Sequence, residues 1–528
     1  MTLSGAQFLG PEVSRDAPSQ FSACEPASGK ALEPAFAEAS AREVDAAMAL
    51  ADAAFKTLYA TSGARRAELL EAIADEIVAL GDALIERAGL ETGLPAARLT
   101  GERARTVGQL KLLASYAREG SWVNARVDRA DPARQPLPKP DVRSMLRPLG
   151  PVVVFAASNF PLAFSVAGGD TASALAAGNP VVVKAHAAHP GTSELVAGAI
   201  QRAVKRTAFP EGTFSMLQSS GYEVGIKLVQ HPLTKAVAFT GSLAGGRALF
   251  DAAAARSEPI PVFAEMGSQN PLIVLPGALA ARGADIAAGL HQSLTLGVGQ
   301  FCTNPGLILV LAGAETTAFL AALAERVAST PAGTMLAPRI AEGYQGGVAK
   351  ASKVAGVSVV AQGAAGGTGC TGTATLLSTS ATTFLASPEL AHEIFGPCGL
   401  VVECAGIAEL ERVVSSLGGQ LTATLHASDE ELATHTRLFD LLERRTGRVI
   451  IGGYPTGVEV CHAMQHGGPY PSTTDSRFTS VGTNAVLRFA RPVCYQSVPD
   501  ALLPEELRNA NPRRILRLVD GNHSREAF

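Results

Sequence analysis

Residues 152–155 read Val-Val-Val-Phe, and residues 181–184 read Val-Val-Val-Lys. Both runs are short, apolar and rich in β-branched side chains, which favour strands buried on both faces. Three further apolar runs follow at residues 214–217, 236–239 and 260–264. Stretches of helical character, such as Ser193–Val204 and Tyr222–Gln230, lie between them. Because this alternation is typical of βαβ units, the segment from Pro151 to Glu265 is predicted to form a parallel α/β sheet.

Polar side chains come at the ends of several of these runs. Asn159, Lys184, Ser242 and Glu265 each lie at or just beyond the carboxyl end of a predicted strand. Ligands of parallel α/β sheets bind outside that edge. The sequence therefore predicts that these four residues share one ligand-binding edge.

A second α/β region is predicted from Pro271 to about Gly453. Its expected strands are the apolar runs Leu272–Leu275, Leu307–Val310, Gly399–Glu403, Leu421–Leu425 and Arg448–Ile451. Short apolar runs of this length, separated by longer segments, again indicate an α/β arrangement.

Other segments are predicted to lie outside the two sheets. Residues 1–35 contain several prolines and are predicted to be a loop-rich lead-in. Ala41–Arg118 carries apolar side chains at helical spacing and is predicted to form three scaffold helices. The prolines of residues 124–142 exclude a helix or a central strand. Ala485–Phe489 is predicted to be a strand that extends the sheet of a partner subunit.

Composition restricts the class of protein. The 528 residues are 47% hydrophobic and 17% charged, as expected of a folded globular chain. A formal net charge of −4 provides no basic footprint for nucleic acid. No apolar run reaches the roughly 18 residues of a membrane span, and Met1–Gly10 lacks a secretory signal pattern. The seven cysteines form no C-x-x-C pair, so a reducing cytoplasmic location without a bound metal is expected.

Residues 299–304 read Gly-Gln-Phe-Cys-Thr-Asn and place Cys302 after a glycine that permits a sharp turn. A lone cysteine is most often a small buried hydrophobe. Cys302 is accompanied by Glu265 in a Glu-Met-Gly-Ser turn and by Asn159 in a Ser-Asn-Phe-Pro turn. A carboxylate at the end of a buried strand is expected to have a raised pKa, towards the range of a general base. Two further motifs are Phe-Thr-Gly-Ser at 239–242 and His-Glu-Ile-Phe-Gly-Pro at 392–397.

In this order and at these separations, the motifs resemble those of the aldehyde dehydrogenase family, from about residue 25 to about residue 510. The resemblance implies an α/β fold with a Rossmann-type cofactor domain, an α/β catalytic domain and a β oligomerisation arm. It implies that residues 1–123 and 151–265 form the dinucleotide-binding domain. The catalytic domain would be 266–458, and the arm and tail would be 124–150 and 459–528. A homodimer or homotetramer is the implied assembly.

The resemblance also implies the chemistry. Cys302 would attack an aldehyde carbonyl, hydride would leave to nicotinamide, and Glu265 would activate the water that hydrolyses the thioester. The Asn159 side-chain amide and the Cys302 backbone N–H would hold the oxyanion. The competing interpretations are structural, namely a turn residue for Asn159 and a partnered carboxylate for Glu265. For the whole chain, the corresponding alternative is a catalytically silent structural homologue.

NADP or NAD is the implied cofactor. Lys184 would bind a ribose, Glu393 the hydroxyls of the nicotinamide ribose, and Phe395 would pack on the nicotinamide. Backbone donors to the pyrophosphate would come from a helix start, at Thr240, Gly241, Ser242 and Gly246. Ala187 stands where NAD-selective members often carry glutamate. Its small side chain removes repulsion of a 2′-phosphate and admits NADP, although no cation for that phosphate is evident.

The residues around Cys461 and His466 resemble those of two branches of the family, which oxidise 2,5-dioxopentanoate or long-chain fatty aldehydes. The first branch is the nearer match. Oxidation of 2,5-dioxopentanoate to 2-oxoglutarate is therefore predicted, with a fatty aldehyde as the alternative substrate. The candidate substrate contacts are His466, Arg477 and Phe160. A surface-turn role competes for His466, and a structural role that ties down the tail competes for Arg477.

Overall fold

Short strands precede a helical layer at the start of the chain in the computed structural model, which describes residues 3–17 and 19–528. The strands are Gln7–Leu9 (β1), Glu12–Ser14 (β2), Gln20–Glu25 (β3) and Lys30–Ala37 (β4). The helices are Ala41–Ala60 (α1), Gly63–Ala79 (α2), Gly81–Thr92 (α3) and Ala96–Glu119 (α4). The prediction of a loop-rich lead-in is wrong, because these strands are half exposed and show no apolar run. The prediction of three helices is also wrong, since Gly81, at φ 59°, separates α2 from α3.

The predicted parallel sheet follows the strands Arg126–Asp128 (β5) and Val142–Pro148 (β6). Its elements are Val152–Phe155 (β7), Gly169–Ala177 (α5), Val181–Lys184 (β8), Pro190–Arg206 (α6), Phe214–Leu217 (β9), Glu223–Gln230 (α7), Ala236–Thr240 (β10), Leu243–Ala254 (α8) and Val262–Glu265 (β11). The spatial order is β11-β10-β7-β8-β9-β1-β2, parallel from β11 to β9. The order reverses beside β7, and doubly wound sheets bind ligands at such a point.

A second sheet of order β15-β17-β18-β13-β12-β19-β20 forms the other half of the molecule. The elements of this region are Leu272–Val274 (β12), Pro276–Thr295 (α9), Leu307–Leu311 (β13), Ala314–Ala328 (α10), Gly333–Thr334 (β14), Pro338–Ala351 (α11), Ser358–Gln362 (β15), Thr371–Gly372 (β16), Thr375–Ser380 (β17), Ala381–Ala386 (α12), Cys398–Cys404 (β18), Ile407–Ser416 (α13), Gln420–His426 (β19), Asp429–Thr434 (α14), Thr436–Arg445 (α15) and Thr446–Ile451 (β20). The five predicted strands are confirmed to within about two residues, whereas β15 and β17 were not predicted.

The final strands join β5 and β6 in an arm. They are Ala490–Gln496 (β21), Arg517–Val519 (β22) and Asn522–Ser524 (β23), and the arm sheet has the order β21-β6-β5-β22-β23. The prediction that residues 124–142 contain no central strand is wrong, because β5 lies in the middle of this sheet and ends before Pro132, the first of the prolines. The prediction of a strand at Ala485–Phe489 is wrong. Thr483–Phe489 forms a 3-10 helix whose Val486 and Phe489 side chains are buried in the core. The strand starts only at Ala490, where antiparallel pairing with β6 of the same chain begins.

The valine runs of the first sheet are explained by burial on both faces. Val153 and Val182 face one hydrophobic core, whereas Val152, Val154 and Val181 face the other. The side chains on both faces of these strands are therefore apolar, as in parallel sheets covered by helices on both sides. Within the described part of the chain, no helix has both the length and the apolar character needed to cross a membrane.

Candidate active site

Cys302 lies in the loop that precedes β13, and two contacts fix this loop. Gly299 has φ 65°, and a Cβ atom there would lie 2.3 Å from the carbonyl carbon of Gly396, so only glycine permits this approach. Asn270 Nδ2 donates hydrogen bonds to the carbonyl oxygens of Cys302 and Asn304, both at 2.9 Å. Among the residues that the structure describes, none accepts a hydrogen bond from the Cys302 backbone N–H. That N–H is therefore available to an oxyanion.

A buried polar network holds Asn270 in turn. Gln420 Oε1 accepts hydrogen bonds from Ser268 Oγ at 3.0 Å and from the backbone N–H groups of Gln269 at 2.8 Å and Asn270 at 3.1 Å. Gln269 Nε2 donates to the carbonyl oxygen of Leu390 at 2.9 Å. Buried polar groups that are fully hydrogen-bonded make a site rigid. Ser268 and Gln269 thus support the backbone of the nucleophile loop.

The side chains of Cys302, Glu265 and His466 converge. Cys302 Sγ lies 3.5 Å from His466 Nε2, and Glu265 Oε1 lies 2.9 Å from the same nitrogen. Ser480 Oγ donates to Glu265 Oε2 at 2.5 Å. Glu265 is 3% exposed and His466 is 1% exposed. The surface-turn interpretation of His466 is therefore wrong, because this side chain lies between the predicted nucleophile and the predicted base.

The C-terminal tail reaches this site by pairing with the end of β11. The Met266 N–H donates to the Ser472 carbonyl at 2.8 Å, and the Thr474 N–H donates to the Ala264 carbonyl at 3.1 Å. These bonds continue the sheet edge and bring His466 over the catalytic turn. The tail is consequently part of the site.

The tail also decides the protonation of the site. Burial raises the pKa of the Glu265 carboxyl, but the His466 imidazole and the Ser480 hydroxyl outweigh burial and hold this pKa below its ordinary value. The expectation of a raised pKa is wrong, because it considered the strand end without the tail. Burial raises the pKa of the Cys302 thiol well above its ordinary value, and the Glu265 charge raises it further. The resting site therefore holds a thiol beside a carboxylate, and Glu265 is the adjacent acceptor for the thiol proton.

His466→Asn is expected to move the acid limb of the pH profile of kcat to higher pH. Without the imidazole, burial dominates at Glu265, so the pKa of its carboxyl rises and the carboxylate forms only at higher pH. The measurement is steady-state kcat as a function of pH, with His462→Asn, an exposed position in the same tail, as the control. An acid limb that stays in place would contradict this account of the Glu265 pKa.

Asn159 lies against the nucleophile loop. Its Nδ2 donates to the Gln300 carbonyl at 3.0 Å, and the amide has a second N–H that can donate elsewhere. The neighbouring Phe160 packs edge-on against Phe164 and Phe301, with ring centroids 5.3 and 5.4 Å apart. The structure thus brings the predicted oxyanion residue to the nucleophile and makes Phe160 part of an apolar wall.

Helix α4 contributes charged side chains that the sequence analysis assigned to scaffolding. Arg98 Nη2 donates to Glu102 Oε2 and to the Asn159 carbonyl, both at 3.3 Å. Glu102 Oε1 accepts the backbone N–H of Leu162 at 2.8 Å. Arg98, Glu102 and Arg105 lie at spacings of four and three residues, which place them on one helix face. Charged residues at this spacing, on one face of an otherwise structural helix, are the sequence feature that could have marked them as site residues.

Arg477 is not brought into this cluster. Its side chain is 79% exposed, and its Nε donates to Asp475 Oδ1 at 2.9 Å. The prediction of Arg477 as a substrate contact is wrong, because the Asp475 carboxylate, two residues away, holds the guanidinium at the surface.

The sequence profile of the aldehyde dehydrogenase family matches residues 13–490. The chain belongs to this family. The α-ketoglutaric semialdehyde dehydrogenase 2 of Azospirillum brasilense is 53% identical over 522 residues, which cover 99% of this chain and 99% of that relative. The α-ketoglutaric semialdehyde dehydrogenase of Acinetobacter baylyi is 46% identical over 92% of each chain.

Solved structures show the same fold. Betaine aldehyde dehydrogenase from Staphylococcus aureus, in complex with NAD+, has a TM-score of 0.80 at 19% identity, covering 94% of this chain and 96% of that one. The predictions of the family, the α/β fold, aldehyde dehydrogenase activity and an NAD(P) cofactor are confirmed. The alternative of a catalytically silent homologue is not favoured.

Lys184, Thr240, Gly241 and Ser242, four of the residues predicted to hold the dinucleotide of this aldehyde dehydrogenase, lie at the carboxyl edge of the first sheet. Thr240 Oγ1 is buried there with no hydrogen-bond partner in the described residues. A Cβ atom at Gly241 would lie 2.6 Å from the Phe239 ring. Ser242 caps α8, whose first N–H groups favour an anion such as pyrophosphate. The donor set therefore fits a dinucleotide.

Lys184 is anchored to the loop that follows the neighbouring strand β9. Its Nζ donates to the Ser219 carbonyl at 2.6 Å, and burial lowers the pKa of Lys184 to about 8. Glu393 and Phe395 line one cavity beside the nucleophile loop, and burial raises the pKa of Glu393 to about 8. These positions are compatible with the predicted cofactor contacts, which stay predictions.

Gly241 and Gly246 are the exceptions in the cofactor set. The Gly241 N–H donates to the Glu265 carbonyl at 3.0 Å and the Gly246 N–H to the Ser242 carbonyl at 2.9 Å, so the prediction of free backbone donors at these two glycines is wrong. A Cβ atom at Gly246 would lie 2.6 Å from Met266 Sδ. The glycine instead allows α8 to approach the catalytic turn closely.

Proposed function

We propose that this aldehyde dehydrogenase oxidises 2,5-dioxopentanoate to 2-oxoglutarate with NADP or NAD as the hydride acceptor. The observation that carries the substrate assignment is 53% identity, over nearly the whole length of both chains, to an α-ketoglutaric semialdehyde dehydrogenase. The cluster of the half-buried Cys302 with the buried His466 and Glu265 supports the reaction class.

In the proposed mechanism, the Cys302 thiol gives its proton to Glu265, and the thiolate attacks the aldehyde carbonyl. The Asn159 amide and the Cys302 backbone N–H stabilise the oxyanion, by about 3 kcal/mol for each donor. When bound, NAD(P) supplies the acceptor for hydride. Glu265 releases the thiol proton to solvent and then takes a proton from the water that attacks the thioester, while the Ser480 hydroxyl orients the carboxylate. Hydrolysis releases the acid and the Cys302 thiolate, which takes the proton back from Glu265 and becomes a thiol again.

A comparison of kcat/KM for 2,5-dioxopentanoate and hexanal, each with NADP and with NAD, tests the assignment. The semialdehyde is expected to be the better substrate with the preferred cofactor. One observation favours the fatty aldehyde alternative, namely the apolar wall that Phe160, Phe164 and Phe301 share. In that case each buried methylene would contribute about 0.8 kcal/mol. A kcat/KM that climbs from propanal to decanal and exceeds the value for 2,5-dioxopentanoate would replace our assignment.

The cofactor preference is tested by Ala187→Glu. The new carboxylate is expected to repel a 2′-phosphate and to lower the ratio of kcat/KM for NADP to that for NAD. The dissociation constant for NADP should rise relative to that for NAD. Ala188→Glu, at a neighbouring half-buried position, is the control. An unchanged ratio in Ala187→Glu would mean that the 2′ position is read elsewhere.

We also propose a cytoplasmic homodimer or homotetramer. Within the described residues, the outer edges of β20 and β21 have no strand partner, and such edges accept a strand from another subunit. The proposed domains are 1–123 with 151–265, 266–458, and 124–150 with 459–528. All seven cysteines are free, as in proteins of reducing compartments. Light scattering coupled to gel filtration tests the assembly, and a monomer would contradict it.

A further inference from the structure

Arg105, on α4, places a cation in the aromatic wall of the aldehyde site. Its guanidinium carbon lies 5.6 Å from the centroid of the Phe160 ring and 5.4 Å from that of Phe164. The Phe164 ring lies 6.2 Å from the His466 ring, which contacts the nucleophile. Arg105 is therefore separated from the catalytic cluster by a single aromatic side chain.

The guanidinium of Arg105 is not satisfied by the protein. Its Nε and Nη2 atoms are buried without a hydrogen-bond partner among the described residues. Buried donors without acceptors cost free energy, and native proteins leave few of them. The side chain of Arg105 as a whole is half-buried, and its unpaired donors beside the aldehyde site point to an anion as their missing acceptor.

Glu102, the acidic residue on the same helix face, does not accept a hydrogen bond from Arg105. Glu102 is occupied by Arg98 and by the backbone N–H groups of Leu162 and Ala163. Arg98 itself donates to Glu102 and to the Asn159 carbonyl. Arg98 therefore supports the Asn159 turn, whereas Arg105 retains free donors.

We propose that Arg105 binds the distal carboxylate of the substrate, so that the enzyme selects aldehydes that carry a carboxylate over neutral aldehydes of similar length. This inference rests on the proposed function, because 2,5-dioxopentanoate carries its carboxylate at the end opposite the aldehyde. The planar guanidinium matches a carboxylate through two parallel hydrogen bonds. Phe160 and Phe164 contact the guanidinium face and would leave its N–H edge to the ligand.

Arg105 has a second effect that must be separated from this role. Burial raises the pKa of the Cys302 thiol, and the positive charge of Arg105 opposes that rise. A change in thiolate formation alters the attack on every aldehyde, whether or not the aldehyde is charged. Only the binding role predicts an effect that depends on the substrate carboxylate.

The test compares Arg105→Met and Arg105→Lys with the native enzyme on 2,5-dioxopentanoate, 5-oxopentanoate and pentanal. Arg105→Met is expected to lower kcat/KM roughly 10- to 100-fold more for the two acids than for pentanal, mainly through KM. Arg105→Lys should recover part of the loss, since it restores the charge but not the planar fork. Arg103→Met is the control on the same helix, where Arg103 donates to the Gly81 carbonyl at 2.7 Å.

The outcomes separate the two proposals. If the native enzyme prefers the acids and Arg105→Met lowers kcat/KM equally for all three substrates, Arg105 acts only on the nucleophile and the binding proposal is overturned. If the native enzyme prefers pentanal to both acids, the proposed function fails and the carboxylate site fails with it. Thermal unfolding of each variant identifies a loss of fold. If Arg105→Met does not fold, the test rests on Arg105→Lys. Ratios of kcat/KM for the two acids to that for pentanal that equal those of the native enzyme would then overturn the proposal.

Discussion

Cys302→Ser is expected to lower aldehyde dehydrogenase turnover by roughly 10³-fold or more while the fold and cofactor binding are retained. A hydroxyl is far less ionised and less nucleophilic than a thiol near neutral pH. Burial already raises the pKa of the Cys302 thiol, so the site depends on transfer of the proton to the adjacent Glu265 carboxylate. A serine in the same place would demand a much stronger base.

The test measures the steady-state turnover of Cys302→Ser. A dinucleotide-binding titration and a thermal melt check that cofactor binding and the fold are retained. Cys24→Ser is a matched control, because Cys24 is also half-buried and lies in β3, within a two-stranded sheet formed with β4. This control should keep native turnover. Native turnover in Cys302→Ser would assign the nucleophile to another cysteine.

Glu265→Gln is expected to stall hydrolysis of the thioester, with a burst of reduced cofactor followed by turnover that is roughly 10²- to 10⁴-fold slower. Glutamine can keep the hydrogen bond from Ser480, but it cannot take a proton from water. Loss of the Glu265 charge lowers the pKa of the Cys302 thiol, so the thiolate still forms and the first half of the reaction should survive.

Stopped-flow measurement of the burst and the steady state separates the two half-reactions. Glu194→Gln is the control for a buried carboxylate, since Glu194 accepts the backbone N–H groups of Ser4 and Gly5, in the N-terminal segment. Because the Glu265 charge raises the pKa of the Cys302 thiol, Glu265→Gln should also shift alkylation of Cys302 to lower pH. A burst that falls together with the steady state would place Glu265 in an earlier step or in a purely structural role.

The core of the fold was predictable from local pattern. Strands β7 and β8 are visible as valine runs because helices cover both faces of their sheet. Edge strands lack this signal. The β15 strand, for example, is largely exposed and pairs only with β17. The apolar residues of Ala485–Phe489 are buried, but they belong to a 3-10 helix and not to a strand. The strand begins directly after this helix, where the chain pairs with β6.

The sequence by itself determined the candidates for the reacting groups. Cys302, Glu265 and Asn159 are carried by short motifs, and each motif also specifies the turn that presents its side chain. The tertiary structure alone decided what surrounds them. His466 arrives from the tail and Arg105 from a helix that looked like scaffold, and together they alter the ionisation of Glu265 and Cys302. Electrostatic interactions depend on distance through a low-dielectric interior and not on separation along the chain, so no local pattern contains them.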